Sequence, residues 1–361
     1  MRVLTRLRYF AATLTVLATA ACGDGDPPLI AMVGGPAYLD AARMAIEDAG
    51  LPASSFDTLL IAEASSRAAP ALAVANRIVE TPGVVAVVGH TNSAASLVTA
   101  PIYNGVEVVQ VTPSATAVMY SEAGPYSFRI VPSDDRQGPF LADALKQAFP
   151  EGGRIALFYV NDDYGRGLRD AVREALDTDL FTVGVDLPHL EEGVTEDDIE
   201  RAGVALRASP PDAILFLGRP GPLGQYLPTI RAQLPQVPVY GGDAVARAVI
   251  LPQPPEFWDG VAYSDFVNPD ANERVRAFVR RFVDREGHGA TGAEILFYDA
   301  TTLLLEGLEA GVRNGREMQA YLRSLGRDRP AFDGLSGPIS FDGSGDVPGA
   351  SYVLRWLSDP P

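Results

Sequence analysis

Cysteine is almost missing: Cys22 stands alone among 361 residues, so no intrachain disulfide can form and the fold must rest on its apolar core. Histidine is nearly as scarce. His90, His189 and His288 are far apart and lack metal-ligand spacing. Positive charge is in short supply too, with 29 Lys and Arg against 46 Asp and Glu and a net charge of −17. With no basic run in the mature part, nucleic acid is excluded as a partner, because phosphate contacts need clustered Lys and Arg. No Gly-x-Ser-x-Gly or Walker pattern occurs, and Val33-Gly34-Gly35-Pro36 lacks the third glycine and downstream acid of a dinucleotide fingerprint. These absences argue against a covalent or metal-dependent enzyme, and no cofactor is expected. What remains, 47% hydrophobic and 21% charged, is globular in composition and long enough for two domains.

The first residues stand apart from the fold. Arg2, Arg6 and Arg8 precede an apolar stretch, Tyr9 to Ala21, too short to span a bilayer and ending in small residues, as secretory signals do. Thr19-Ala20-Ala21-Cys22 resembles the lipobox of bacterial lipoproteins, which implies lipidation of Cys22 and attachment of the mature chain to a membrane in the periplasm or cell envelope. Plain secretion with a chance cysteine at the cleavage site is the alternative. Residues 23–28 form a polar tether, and no later stretch qualifies as a second membrane segment.

The chain is organised around Val84 to Ala117. The run Val84 to Val88 is short and uniformly apolar, which predicts a parallel strand covered on both faces. It stops at Gly89, a polar tripeptide leads to Ser93, and an alanine-rich helix runs to about Asn104. The next strand, Val106 to Val111, ends in Thr112-Pro113-Ser114-Ala115-Thr116. Two neighbouring strands therefore finish in hydroxyl-bearing loops at the carboxyl edge, where open α/β sheets bind small molecules. A helix start there suits a carboxylate. Ser93 and Thr116 are candidate contacts, with simple helix capping as the alternative.

Strands and helices alternate from Leu29 to about residue 111 and again from Ile155 to Tyr240, which predicts two α/β lobes with parallel sheets and a ligand between them. The tail differs, with helices at about 272–285, 292–312 and 316–324 expected to pad the first lobe. Pro338 to Phe341 and Ser351 to Trp356 look like closing strands around the turn Asp342-Gly343-Ser344-Gly345. The expected division is signal 1–21, anchor and tether 22–28, first lobe 29–133 with 266–334, and second lobe 134–265 with 335–361. More than one crossing restrains the lobes to hinge bending.

Single polar residues also stand at strand ends in the second half: Tyr164, Arg219 and Asp243. Asp243, in a glycine-flanked loop, suits an ammonium, unless it merely caps the following short helix. Arg219 would offer a fork to a carboxylate if it faces the cleft, or pack its stem on Pro220 and Pro222 if it does not.

The phrases Gly89-His90 with Ser93, Val111 to Thr116, Phe128-Arg129 with Pro132 to Pro139, Asn161 to Gly167 and Gly241-Gly242-Asp243 resemble, in order, the branched-chain amino acid type of periplasmic solute-binding protein serving ABC importers, with the type I binding-protein fold. The resemblance implies a monomer that closes on an amino-acid-like ligand and hands it to permease subunits. By motif it implies carboxylate contacts from Ser93 and Thr116 with backbone of Ser114 and Ala115, a closing Tyr164, and Asp243 on the amine. Two departures, a short loop after the first strand and Arg219 where an aromatic is common, imply a larger or more acidic ligand. A sensory subunit of the same fold, signalling to a membrane regulator without transport, is the competing expectation.

Overall fold

The computed structural model describes residues 27–358 apart from 53, 64–66 and 191–192. Cys22 and its lipobox-like segment lie outside the described residues. In the first half of the chain, β1 (Leu29–Gly34), α1 (Pro36–Ala49), β2 (Asp57–Ala62), α2 (Ala68–Val79), β3 (Val84–Val88), α3 (Ser93–Gly105), β4 (Val109–Thr112) and β5 (Ser127–Arg129) form a parallel sheet in the order β2-β1-β3-β4-β5. The chain then crosses to α4 (Asp134–Ala148), β6 (Gly153–Val160), α5 (Asp163–Ala175), β7 (Phe181–His189), α6 (Glu196–Ala208), β8 (Ala213–Leu217), α7 (Pro220–Gln233), β9 (Val239–Gly241) and β10 (Val261–Asp265). It returns for α8 (Glu273–Glu286), α9 (Gly292–Glu309), α10 (Gly315–Ser324), β11 (Phe332–Gly334) and β12 (Gly337–Ile339), and crosses a third time to β13 (Val353–Trp356). The second sheet runs β13-β10-β9-β8-β6-β7, parallel except for β13.

Burial on both faces explains the apolar runs. Ile30 and Met32 point into one core of the first lobe, while Leu29, Ala31 and Val33 point into the other, the two-residue period of a strand. In β6 the same alternation sends Ala156 and Phe158 one way and Ile155 and Leu157 the other. The tail helices cover the first lobe as expected, with Phe282, Phe297 and Leu304 in its core.

Three expectations fail. The strand expected from Val106 begins only at Val109, because the exit of α3 folds back on itself: the Val106 and Val108 amides donate to the Tyr103 carbonyl and Glu107 adopts a left-handed φ of 61°. The closing hairpin also does not form. β12 pairs with β11 and β13 pairs with β10, so the Asp342 turn lies between partners in different lobes. That turn instead folds around Asp342 Oδ1, which accepts from the Ser344 and Asp346 amides. Ile339, Phe341 and Val347 accordingly pack in the first lobe's core, whereas the stretch from 335 was expected in the second. Phe341 meets Phe128 of β5 there, their ring centroids 5.0 Å apart, before the chain crosses.

The three crossings, at 130–133, 266–272 and 340–352, lie together. Tyr352 OH donates to the Pro132 carbonyl at 2.8 Å, and Asp265 accepts from the Gly292 amide at 3.1 Å while Arg355 pairs with it at 3.3 Å. A hinge stitched this way permits bending and resists sliding.

Candidate functional site

A cavity of about 400 Å³ lies between the lobes, at the carboxyl edges of both sheets. Its first-lobe wall comes from the turn after β1, the start of α3 and Ser114. Its second-lobe wall comes from the starts of α5 and α7 and the short 3₁₀ helix Asp243–Ile250. Helices α3 and α5 approach each other across the cleft.

On the first-lobe side the strand-end loop is built by Gly89, whose φ is 134° and where an added Cβ would lie 2.8 Å from the Val33 carbonyl oxygen. Asn92 is the cap of α3, its Oδ1 accepting from the Ala95 amide at 2.9 Å. Ser93 is therefore not needed as a cap. It is buried on the cavity wall and its Oγ accepts from the Ala117 amide at 3.1 Å, which ties the two loops together. Ser114 also reaches the wall, and its buried hydroxyl has no hydrogen-bond partner.

Ala115 and Thr116 lie behind the wall, which differs from the expectation that they touch ligand. Thr112 Oγ1 draws the Ala115 amide inward at 3.1 Å, and Thr116 is fully buried with its hydroxyl beside the Asp134 carboxyl. Thr116 is not a cap either, since Ala117 occupies that place for the following 3₁₀ turn.

The second-lobe residues converge. Tyr164 OH donates to Asp243 Oδ1 at 2.9 Å, and Gln137 Nε2 donates to the same oxygen at 2.8 Å while also reaching Ser264 Oγ at 3.0 Å. Gly242 makes the first of these bonds possible, because a Cβ there would sit 2.4 Å from the tyrosine oxygen. Gly242, not Asp243, is the cap of the 3₁₀ helix. Burial pushes the Asp243 carboxyl up to about 6, with Gln137 and Tyr164 pulling against it. Asp134 lies deeper, and burial followed by the Asp243 charge holds its carboxyl well above the usual range.

Arg219 lines the cavity, as one of its two readings required, and its guanidinium pairs with Asp162 at 3.0 Å. Asp162 is itself the cap of α5, accepting from the Gly165 amide at 2.8 Å. The ion pair therefore fixes two helix starts against each other.

Three wall or support residues escaped the sequence reading. Gln137 stood in a motif that carried no role for it. Tyr38 reaches the cavity because only Gly35 separates β1 from α1, and its ring stacks on Phe297 at 5.5 Å. Arg247, four residues beyond Asp243, crosses from the second lobe to Glu294 of α9 at 2.5 Å and lies 4.8 Å over the Tyr38 ring. Its place after a candidate contact in a short helix was the single sequence signal.

Hydroxyls and a helix start on one wall, facing a buried carboxylate on the other, can hold a zwitterion head group by both ends. Among the described residues no group of three or more His, Cys, Asp or Glu could hold a metal ion. The family model "Periplasmic binding protein" matches residues 30–359. An amino acid binding protein of Pseudomonas aeruginosa is 26% identical over 80% of this chain and 76% of its own. The Leu/Ile/Val/Thr-binding protein of Salmonella typhimurium is 27% identical over 79% and 76%. Among solved structures, an ABC transporter substrate-binding protein of Desulfitobacterium hafniense in complex with Leu superposes with a TM-score of 0.74 at 24% identity, covering 92% of this chain and 97% of its own. With the match running through both lobes and every crossing between them, the chain belongs to the periplasmic binding protein family.

Proposed function

We propose that this chain is an extracytoplasmic receptor that closes on an α-amino-acid-like solute and delivers it to the permease subunits of an ABC importer, tethered to a membrane by lipid on Cys22. One observation carries the ligand class. The charged residues Arg219, Arg247 and Asp265 on the cavity wall each face an opposite charge, in Asp162, Glu294 and Arg355. Asp243 instead accepts hydrogen bonds from two neutral donors, Gln137 and Tyr164, so the cavity carries a negative charge that a ligand ammonium would balance. The relatives that bind amino acids support the same reading.

The test is calorimetric titration of the mature domain with a panel of L-amino acids and their N-acetyl derivatives. A free α-amine is expected to be required, and Asp243→Asn is expected to weaken binding by about 2–5 kcal/mol, the cost of leaving a buried ammonium without its counter-charge. A ligand at a hundred times its dissociation constant adds about 2.7 kcal/mol of stability, so melting curves give an independent readout. Equal binding of acetylated and free amino acids would remove the proposal.

A further inference from the structure

We propose that Arg247 sets the ligand's side-chain class, and that the preferred ligand carries an oxygen acceptor, carboxamide or carboxylate, at the end of its side chain. The inference rests on the amino-acid reading of the cavity and goes beyond it by naming what the far wall recognises.

The far wall is charged where a pocket for an aliphatic side chain would be apolar. Leu251, Ala246 and Ala293 line its flanks, but Arg247 and Tyr38 stand on it as well. Arg247 is held in place from three directions. Its guanidinium carbon lies over the Tyr38 ring, one nitrogen is bonded to Glu294 Oε1, and its backbone belongs to the 3₁₀ helix that Asp243 opens. Glu294 is anchored in turn, its other oxygen accepting from the Thr291 amide and hydroxyl at the start of α9. The carboxylate is almost wholly buried, and it cannot follow the guanidinium if that moves.

A guanidinium has five N–H donors in a fixed plane. The Glu294 contact uses one nitrogen and the Tyr38 hydroxyl takes a further donor, so with five N–H groups donors remain on a residue that lines the cavity. When the lobes close on a ligand, water leaves this wall. An aliphatic side chain would then leave the donors without an acceptor, while an amide or carboxylate oxygen would take them. Sites built to hydrogen-bond a ligand group reject analogues that lack it far more strongly than apolar pockets reject an extra group. Asp243 and Arg247 are four residues apart on one short helix, so head-group and side-chain recognition are set at a fixed distance. Arg219, in contrast, pairs with Asp162 within its own lobe.

Titrations with L-glutamine, L-glutamate and L-leucine test this on the wild-type mature domain and on Arg247→Met. Because Arg247→Met strands the buried Glu294, the double variant Arg247→Met with Glu294→Gln is measured beside it. Wild type is expected to bind glutamine or glutamate at least tenfold more tightly than leucine, and the double variant to bring that ratio to twofold or reverse it. The glutamine and glutamate arms identify which acceptor is recognised. Leucine preferred by wild type, or a ratio untouched in the double variant, overturns the inference and leaves the receptor reading standing. A uniform loss for all ligands makes Arg247 a clamp between lobes and also overturns it. If no amino acid binds and Asp243→Asn changes nothing, the underlying receptor reading falls and this inference falls with it.

Discussion

Arg129 and Asp346, 217 residues apart in sequence, meet in a two-point ion pair, with Nε 2.6 Å from Oδ1 and Nη2 2.9 Å from Oδ2. The guanidinium is fully buried, and its remaining nitrogen donates to the Thr116 and Ala117 carbonyls at 3.1 and 2.9 Å. One side chain thus fastens the loop behind the cavity wall to the segment that makes the third crossing. Loop position and hinge position are coupled through it.

Removing the cation should therefore be costly. Arg129→Met leaves two buried carbonyls without their donor and the Asp346 carboxylate with the Ser121 hydroxyl in place of its counter-charge, and a loss of about 3–5 kcal/mol is expected for breaking such a pair from one side. Arg129→Lys should recover only part of this, since an ammonium cannot make the two-point contact and reach both carbonyls. Urea denaturation of the ligand-free domain gives the numbers. A loss under 1 kcal/mol for Arg129→Met would mean the pair is incidental.

Low pH should act on the Asp243 carboxyl in two opposite ways, easing its burial and weakening its hold on a ligand. Burial pushes Asp243, Asp265 and Asp299 up to about 6 from a usual 3.8 and holds Asp134 higher still. Each of these carboxyls binds its proton more tightly folded than unfolded, so each makes the fold less stable once ionised. The contribution of these carboxyls to the ligand-free domain should rise as pH falls from 7 through 6 toward 4, opposed by His90, which burial pushes down to about 4, and by His189, also lowered by burial, both of which cost stability below 6.5. The contribution of Asp198, held low by the Thr195 amide and hydroxyl, is present above 3.8 and is lost only at more acidic pH. Binding behaves differently. Asp243 must be ionised to hold an ammonium, and it is faced by Asp134, Gln137, Tyr164 and Arg219, so affinity should drop by about tenfold per unit once pH is below about 6. Melting curves and titrations at pH 5, 6 and 7.5 read both trends. Affinity that is flat to pH 5 would take Asp243 out of the ammonium contact.

Attachment to the membrane is the third expectation. Cys22→Ser should abolish lipid labelling and shift the protein from the membrane fraction to the soluble one, because serine has no thiol to carry the lipid. Unchanged membrane association in the variant would sink the lipid anchor.

How much of this was legible in the sequence depends on the range of the interaction. The Ser93, Tyr164 and Asp243 positions follow from local patterns, an apolar strand ending in a glycine and a polar residue, and the cavity wall contains all three. Thr116 had the same local pattern and was drawn behind the wall by Arg129 and Asp134, neither of which its neighbours announce. Arg247 was missed because its meaning lies in Glu294 and Tyr38, on the opposite lobe. The hairpin expected around Asp342 failed because two strand-like segments beside a tight turn read as partners, although β12 closes a shorter hairpin with β11 just before it and β13 joins β10 in the other lobe's sheet. Periodicity reports which face is buried, and it does not report against what.

A glycine supplies the last prediction. Gly242 has a φ of −71°, which any residue can adopt, so backbone conformation does not require glycine there. Space does, since an added Cβ would lie 2.4 Å from the Tyr164 oxygen and 2.9 Å from Leu168 Cδ2. Gly242→Ala should push the Tyr164 hydroxyl off Asp243, destabilise by about 1–3 kcal/mol as overpacked sites do, and weaken ligand binding. Removing the hydroxyl should relieve the clash, because the nearest ring carbon, Cζ, is 3.6 Å from the new methyl, an ordinary contact. The Gly242→Ala effect should then be clearly smaller in a Tyr164→Phe background than in wild type, a coupling that a double-mutant cycle measures directly. Additive effects would mean that Leu168, and not the Tyr164 hydroxyl, is what the glycine accommodates, and the Tyr164 to Asp243 contact would lose its claim to shape the site.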